Sequence, residues 1–272
     1  MAWRAWVAVS NAVHFEDDAG LWVDGDRGAV AVADGVSMSR GGGASFLAAW
    51  GFAALCRALL PDWRGSLAGA AQRCLELLDR AAREALALDA AAVAEAKQRY
   101  YRGCGSPCTR PPGLAELEAL RPLEPGGRGA EAKPSSTLLA ALLGPGGRAA
   151  LVLAGDGAVV ATTGGREDTW LLWGALPQFY EGSRVARFLE VGGGLRGEPV
   201  VLETILPRGT LLALATDGVD PAALAEELVE LARRGIPEPA AENPAGYLLR
   251  RIEERTGGLE DDATLALVEW TG

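Results

Sequence analysis

The chain has 272 residues, with 36 Asp or Glu against 26 Lys or Arg, one histidine (His14), four cysteines and a formal net charge of -10. That histidine count excludes a His-rich zinc site and a His-ligated haem pair, and it leaves a Ser-His-Asp mechanism only through His14. The acidic balance argues against nucleic acid and anionic membranes as partners, and it directs attention to carboxylates working with hard cations such as magnesium or manganese.

Taken in chain order, strands come first. Ala2 to Ser10 alternates and is rich in Trp and Val. Leu21 to Val23 leads into the hairpin turn Asp24-Gly25-Asp26-Arg27, and the short apolar run Gly28 to Ala33 reads as a buried strand ending in Asp34-Gly35. Two helices are expected next. The first, about Ala44 to Leu60, is apolar nearly all round and should be sandwiched; the second, about Ser66 to Arg99, carries Leu67, Ala71, Cys74 and Leu78 on one face.

Prolines and glycines then break the pattern from about Tyr100 to Pro134, which reads as a surface insertion with a short helix near Leu114 to Leu120. Strands return at Thr137 to Leu143, Ala149 to Ala154, Ala158 to Thr162 and Trp170 to Trp173. After an irregular stretch with a short helix at Arg184 to Leu189 come strands Val200 to Ile205 and Thr210 to Thr216, the latter ending in Asp217-Gly218. Asp220-Pro221 opens a helix that Gly235 closes, Asn243-Pro244 opens another that ends at Gly257, and Ala263 to Trp270 is a last strand behind Asp261-Asp262. Blocks of strands separated from blocks of helices indicate an α+β fold, and no Gly-rich phosphate fingerprint marks a dinucleotide or P-loop site.

The cysteines divide into two pairs. Cys56 and Cys74 sit in apolar helical patterns and read as small core residues. Cys104 and Cys108 bracket Gly-Ser-Pro in a loop-like stretch; a disulfide and half a metal site are open, and two loop thiols is the leading reading. Met1 to Ser10 lacks the pattern of a targeting segment, and the longest uncharged run, Gly41 to Cys56, is shorter than the roughly 20 residues of a spanning helix. A soluble, cytoplasmic protein is the expectation.

One chemical feature repeats. Val30 to Gly35 and Leu212 to Gly218 are both buried-strand patterns that end in Asp-Gly; Glu16-Asp17-Asp18 precedes a strand, and Asp261-Asp262 opens one. Each alone reads first as a turn or a solvated face. If all four strand ends meet at one edge, the carboxylates repel unless cations lie between them, and such an oxygen set suits two hard ions that activate water for attack on phosphorus.

In this order the motifs resemble those of the metal-dependent type 2C protein serine/threonine phosphatase family (PPM), in particular a compact bacterial branch. The matching stretches are Glu16-Asp17-Asp18-Ala19, Val32-Ala-Asp34-Gly35, Ser136-Thr137, Ala154-Gly155-Asp156-Gly157, Ala215-Thr-Asp217-Gly218 and Asp261-Asp262-Ala263-Thr264. The resemblance covers essentially the whole chain. It implies a four-layer α-β-β-α sandwich with two central antiparallel sheets, a single phosphatase-like domain over residues 1–272, and a pair of manganese or magnesium ions as cofactor. It also implies roles: Asp34 bridges the two ions and is catalytic with Asp18, Gly35 offers its carbonyl to one ion, Asp217 and Asp261 complete the other, and Asp18, with Asp17 as second candidate, binds water at the metals. Asp261 is preferred to Asp262, which takes the family's usual Asn position, and Asp156 with Gly157 reads as a structural turn. The implied reaction is hydrolysis of phosphoserine or phosphothreonine on a phosphorylated protein partner, a serine/threonine kinase or its targets.

The sequence also departs from the family. Where many members carry a phosphate-gripping arginine, this chain has Val13, with His14 beside it; Arg40 or Arg27 is the candidate replacement, and His14 a candidate general acid. The missing arginine motivates an alternative, a catalytically weak relative that binds phosphoproteins or regulates a partner. A two-carboxylate glycosidase explains paired acids but not two strand-Asp-Gly units.

Overall fold

The computed structural model describes the chain apart from residues 1, 12, 37–41, 86, 121–132, 166, 174–179, 182–183, 186 and 260. It opens with β1 (Trp3–Ser10), β2 (Asp18–Asp24) and β3 (Arg27–Ala33), followed by helices α1 (Gly42–Leu59), α2 (Leu67–Glu84), α3 (Ala87–Cys104) and α4 (Leu114–Leu120). Strands β4 (Ser135–Ser136), β5 (Leu138–Leu143), β6 (Arg148–Ala154), β7 (Ala158–Thr162) and β8 (Trp170–Trp173) come next. They lead to the short β9 (Tyr180–Glu181), β10 (Arg184–Val185), β11 (Phe188–Glu190) and β12 (Gly194–Arg196). The chain ends with β13 (Val200–Ile205), β14 (Leu211–Ala215), α5 (Pro221–Arg234), α6 (Pro244–Thr256) and β15 (Ala263–Trp270).

Two five-stranded antiparallel sheets form the centre, in the orders β1-β15-β14-β7-β8 and β13-β6-β5-β3-β2. Period-two alternation sorts their side chains into three apolar layers. Along β3, Val30 and Val32 point between the sheets, while Ala29, Ala31 and Ala33 face α1 and α2. Along β14, Leu212 and Leu214 point between the sheets, while Leu211, Ala213 and Ala215 meet α5 and α6. Helices therefore cover both outer faces, the four-layer arrangement that the sequence motifs imply. The alanines of β3 let α1 approach closely; α1 in turn carries apolar residues nearly all round because α2 and α3 pack against it as well. It is long and apolar enough to cross a membrane by length and composition, but most of it is buried in this core.

Cap chemistry fixes the helix ends. Ser66, Asp220 and Asn243 each accept a hydrogen bond from the backbone N–H three residues on, at 3.0, 2.6 and 2.8 Å, and Pro221 and Pro244 occupy first-turn positions where no N–H is needed.

Three expectations are corrected. The long helix of about Ser66 to Arg99 is two helices, because Ala85 is extended (φ -70°, ψ 140°) and lets α3 turn back across α1. Neither Gly nor Pro marks that break in the sequence. The helix expected at Arg184 to Leu189 is instead strand: β10 pairs with β9, and β11 pairs with β4 and β12. Cys104 and Cys108 are not free loop thiols but a disulfide, with Cα atoms 5.6 Å apart. Cys104 ends α3, and Cys108 is held by reciprocal backbone hydrogen bonds with Val9 of β1 at 2.8 and 2.7 Å. The expected insertion from about Tyr100 thus starts as helix, contains α4 as anticipated, and continues through residues 121–132, outside the described residues.

Candidate active site at the sheet edge

The acidic strand ends gather at one edge of the two sheets. Asp34 follows β3, and its backbone is fixed by Ser136 of β4 and by Thr137, which links β4 to β5. Its carbonyl accepts from Thr137 N and Ser136 Oγ, both at 2.8 Å, and its N–H donates to Thr137 Oγ1 at 3.0 Å. Val36 N–H donates to Ser135 at 2.9 Å, so this bridge engages the carbonyl of Asp34 and the N–H of Val36, not the carbonyl of Gly35. Gly35 is thereby left with an acceptor outside the ladder.

Three further carboxylates act on Asp34. Asp34 is pushed well above the usual carboxylate range by burial, then by the charges of Asp17, Asp217 and Asp156. Asp217, at the end of β14, is pushed up to about 6 by desolvation of its carboxyl and by the charges of Asp156 and Asp261, although the residue as a whole is exposed. Close approach of the turns brings these groups together. A Cβ on Gly218 would lie 1.9 Å from the Asp262 carbonyl, and one on Gly157 would lie 2.3 Å from the Ala215 carbonyl, so only glycine lets the turns at 156 and 261 close on Asp217.

Strand alternation separates Asp17 from Asp18. Ala19 faces the inter-sheet core, so Asp17 lies on that side and Asp18 on the other. Asp17 meets Asp34. Its Oδ2 accepts from Thr216 Oγ1 at 2.7 Å, while its buried Oδ1 has no hydrogen-bond donor. Burial pushes its carboxyl up to about 7, opposed by hydrogen bonding and assisted by the charge of Asp262. Asp18 turns to the helices. Its Oδ1 accepts from Tyr101 OH at 2.9 Å and from the N–H of Ala19 at 2.8 Å, and its Oδ2 pairs with Lys97 Nζ at 3.5 Å. Asp18 is thus engaged by Tyr101, Lys97 and its neighbour's N–H, and Asp17, the second candidate, is the member of the pair that meets Asp34. The period of two along β2 is the sequence signal that separates them.

Asp261 and Asp262 also divide. Asp262 is buried, and its carboxylate accepts from the backbone N–H groups of Val13 (2.7 Å), His14 (3.2 Å) and Glu16 (2.9 Å). It anchors a loop whose Phe15 has a left-handed backbone (φ 60°). Asp261 is exposed beside Asp217, with His14 Nε2 3.9 Å from its Oδ1. A cleft of about 660 Å³ opens there, lined by Asp217, Asp261, Pro221, Thr256 and Leu259. Asp156, read from sequence as a structural turn, stands within electrostatic reach of Asp34 and Asp217 and so belongs to the cluster. Its position between two buried strands, with a glycine on each side, is the same signal that marks the other Asp-Gly ends.

The candidate phosphate grips fare differently. Arg27 lies at the opposite end of β3 from Asp34, and its Nη1 donates to the carbonyls of Leu60 and Pro61 at the end of α1. It does not reach the acidic edge. Arg40 lies outside the described residues. Val13 is exposed, and so is His14, which stands at the Asp261 rim.

The protein phosphatase 2C family model matches residues 10–243. The chain belongs to the protein phosphatase 2C family. No curated protein sequence matches it. Among solved structures, this phosphatase 2C chain resembles the Mycobacterium tuberculosis serine/threonine phosphatase PstP/Ppp (17% identity, 100% of each chain, TM-score 0.59). It also resembles the PPM Ser-Thr phosphatase MsPP from Mycobacterium smegmatis, solved with cacodylate (18%, 98% of each chain, 0.55), and the catalytic domain of PstP, solved with two manganese ions (18%, 98% of each chain, 0.53). At these identities the likeness shows the fold.

The donor set of this phosphatase 2C chain suits hard cations. Among the described residues no three His, Cys, Asp or Glu side chains form a closed metal-binding group. What stands there is an open arc of carboxylates that raise one another's proton affinity, together with a buried Asp17 oxygen lacking a donor. A cation satisfies both features; all the ligands are oxygens, as magnesium and manganese prefer.

Proposed function

We propose that the chain hydrolyses phosphoserine and phosphothreonine on proteins, using two manganese or magnesium ions held by Asp34, Gly35, Asp217 and Asp261. The convergence of Asp34, Asp217 and Asp261 on one sheet edge carries this reading. Bound there, the ions would supply a nucleophile from water at neutral pH and neutralise the charge of the phosphoryl group.

The chain's own residues supply position. Asp34 feels the charges of Asp17, Asp217 and Asp156 together, which suits a bridging role. Asp17, held by Thr216 on one carboxylate oxygen and without a donor on the other, meets Asp34 and would take the orienting role in place of Asp18. Asp262 holds the loop 13–16 through three N–H groups and so sets where His14 stands relative to Asp261. The cleft beside Asp217 and Asp261 is open to a phosphorylated side chain carried on a protein. The substrates would be phosphoproteins, a serine/threonine kinase or its targets, in the cytoplasm.

Manganese-dependent release of phosphate from a phosphothreonine peptide tests the proposal; full activity in an Asp34→Ala protein would overturn it. A second reading, a weak catalyst that binds phosphoproteins, draws on exposed Val13 at the expected arginine position and on Arg27 committed to α1. Clear chelator-sensitive turnover of an aryl phosphate removes that reading.

A further inference from the structure

Lys97 is one of only two lysines in the chain, and it is fully buried. A buried ammonium needs a partner for each of its three donors. Lys97 has three: the carbonyl of Glu16 at 3.1 Å, Ser45 Oγ at 2.7 Å, and the ion pair with Asp18 Oδ2 at 3.5 Å. Ser45 itself donates to the same Glu16 carbonyl. Arginine's wider planar fork does not match three acceptors converging on one point, which accounts for lysine here in a chain whose other basic residues, Lys133 apart, are arginines.

The placement of those acceptors matters more than their number. Glu16 and Asp18 flank Asp17, so one ammonium grips the chain on both sides of it. The backbone of Asp17 is clamped as well: Asn11 Nδ2 donates to its carbonyl at 3.0 Å, and its N–H donates to Asn11 Oδ1 at 3.2 Å. Thr216 holds Oδ2, and Tyr101 holds the neighbouring Asp18. The backbone N–H, carbonyl and Oδ2 of Asp17 are thus engaged, while Oδ1 has no hydrogen-bond donor and the carboxyl meets that of Asp34.

We propose that Lys97, acting through Asp18 and the Glu16 carbonyl, is a positioning residue that fixes the free oxygen of Asp17 at the metal-binding edge. The inference rests on the metal-dependent reading above. Lys97 and Tyr101 belong to α3, and Ser45 belongs to α1, so these two helices set the geometry of the acidic edge without touching it.

The test is manganese affinity measured by calorimetry on folded protein without substrate, well below Tm. Lost global stability does not move that readout. Lys97→Met alone strands the Asp18 charge, so the informative variant is the double Asp18→Asn with Lys97→Met, which removes both charges together. Its expected affinity for manganese is about 10- to 100-fold weaker, the usual effect of losing a group that orients a ligand. Its kcat for an aryl phosphate should fall while KM changes little. Tyr101→Phe and Ser45→Ala each remove one arm, should fold in any case, and should weaken binding by about two- to fivefold, on the scale of one hydrogen bond.

Unchanged manganese affinity in the folded double variant overturns the inference. If the double variant does not fold, unchanged affinity in both single-arm variants overturns it instead. If the wild-type chain binds no manganese, the functional reading itself fails and the inference falls with it; wild-type binding with unaffected variants sinks the inference alone.

Discussion

Between the sheets, Asp17 meets Asp34 carboxyl to carboxyl, whereas one residue on, Asp18 meets an ammonium, a hydroxyl and a peptide N–H. Both acids are fully buried. For Asp18 the protein supplies the compensating charge and donors, so the group can serve as an anchor. For Asp17 and its neighbours the protein supplies more negative charge, and the deficit is one that only protons or cations can fill. Burial of an acid therefore says little by itself; the sign of what faces it decides between scaffold and site. The same contrast recurs at Asp262, saturated by three N–H groups, and Asp261, exposed beside Asp217.

The contrast breaks most visibly at Asp34. Asp34→Ala should lower manganese-dependent kcat on a phosphopeptide by about 10³-fold or more, because several kcal/mol of charge stabilisation depends on the bridging ligand. A loss under tenfold would mean that the arc is not the catalytic centre.

Next in size is the Asp261 and Asp262 pair. Asp261→Ala should weaken manganese binding by about 10- to 100-fold with little change in Tm, as expected for an exposed group that acts on the ion. Asp262→Ala should instead lower stability by about 1–3 kcal/mol, because it leaves peptide N–H groups of the loop 13–16 without their acceptor. Calorimetric titration and thermal unfolding of the two proteins separate these roles; the reverse pattern would exchange them.

Protonation offers a third test. The folded-state pKa of Asp17 is raised from 3.8 to about 7, and that of Asp217 from 3.8 to about 6. Between the unfolded and folded values the native state binds more protons than the unfolded state, so stability falls as pH rises. Metal-free protein should therefore be most stable below about pH 4 as far as these groups are concerned, and it should lose on the order of a few kcal/mol by pH 8, mainly from buried Asp17, since solvent screens the more exposed Asp217. Manganese should reverse the trend, since it binds the ionised carboxylates and its stabilisation grows with pH. Tm measured from pH 5 to 8, with chelator and with manganese, reads both slopes; parallel slopes would contradict the picture.

The smallest effect is expected at Arg27. Arg27→Ala should leave kcat/KM within about twofold and lower stability by about 1 kcal/mol through the lost hydrogen bonds at the end of α1. A selective rise in KM for phosphopeptide would restore Arg27 as a phosphate grip.

Much of the fold is legible in the chain because its signals are local. The strands around Val30, Ala140, Val152 and Leu214 are uniformly apolar between turn residues, and Asp220-Pro221 and Asn243-Pro244 carry their own cap chemistry. The break at Ala85 is not legible, since nothing in its own composition disfavours helix; it follows from where α3 must pack. The strands β10 and β11 were likewise hidden, because segments this short are defined by their partners across a sheet. The Cys104–Cys108 link depends on Cys108 being held to β1, a pairing about a hundred residues away in the chain.

For the site, the residue types and their strand-end positions were written in the sequence: one histidine, many acids, and Asp-Gly repeated after buried strands. That pattern limited the chemistry to carboxylates and named Asp34, Asp217 and the pair Asp261-Asp262. It did not decide which member of each acidic pair faces the edge, nor that Asp156 joins them. Those choices depend on side-chain direction and on partners distant in sequence, Lys97 and Tyr101 for Asp18, the loop 13–16 for Asp262, and the close contact of Gly157 with Ala215 for Asp156. A linear chain specifies which charges exist, but only the packed sheets and helices determine which of them are neutralised by protein and which are left to confront one another.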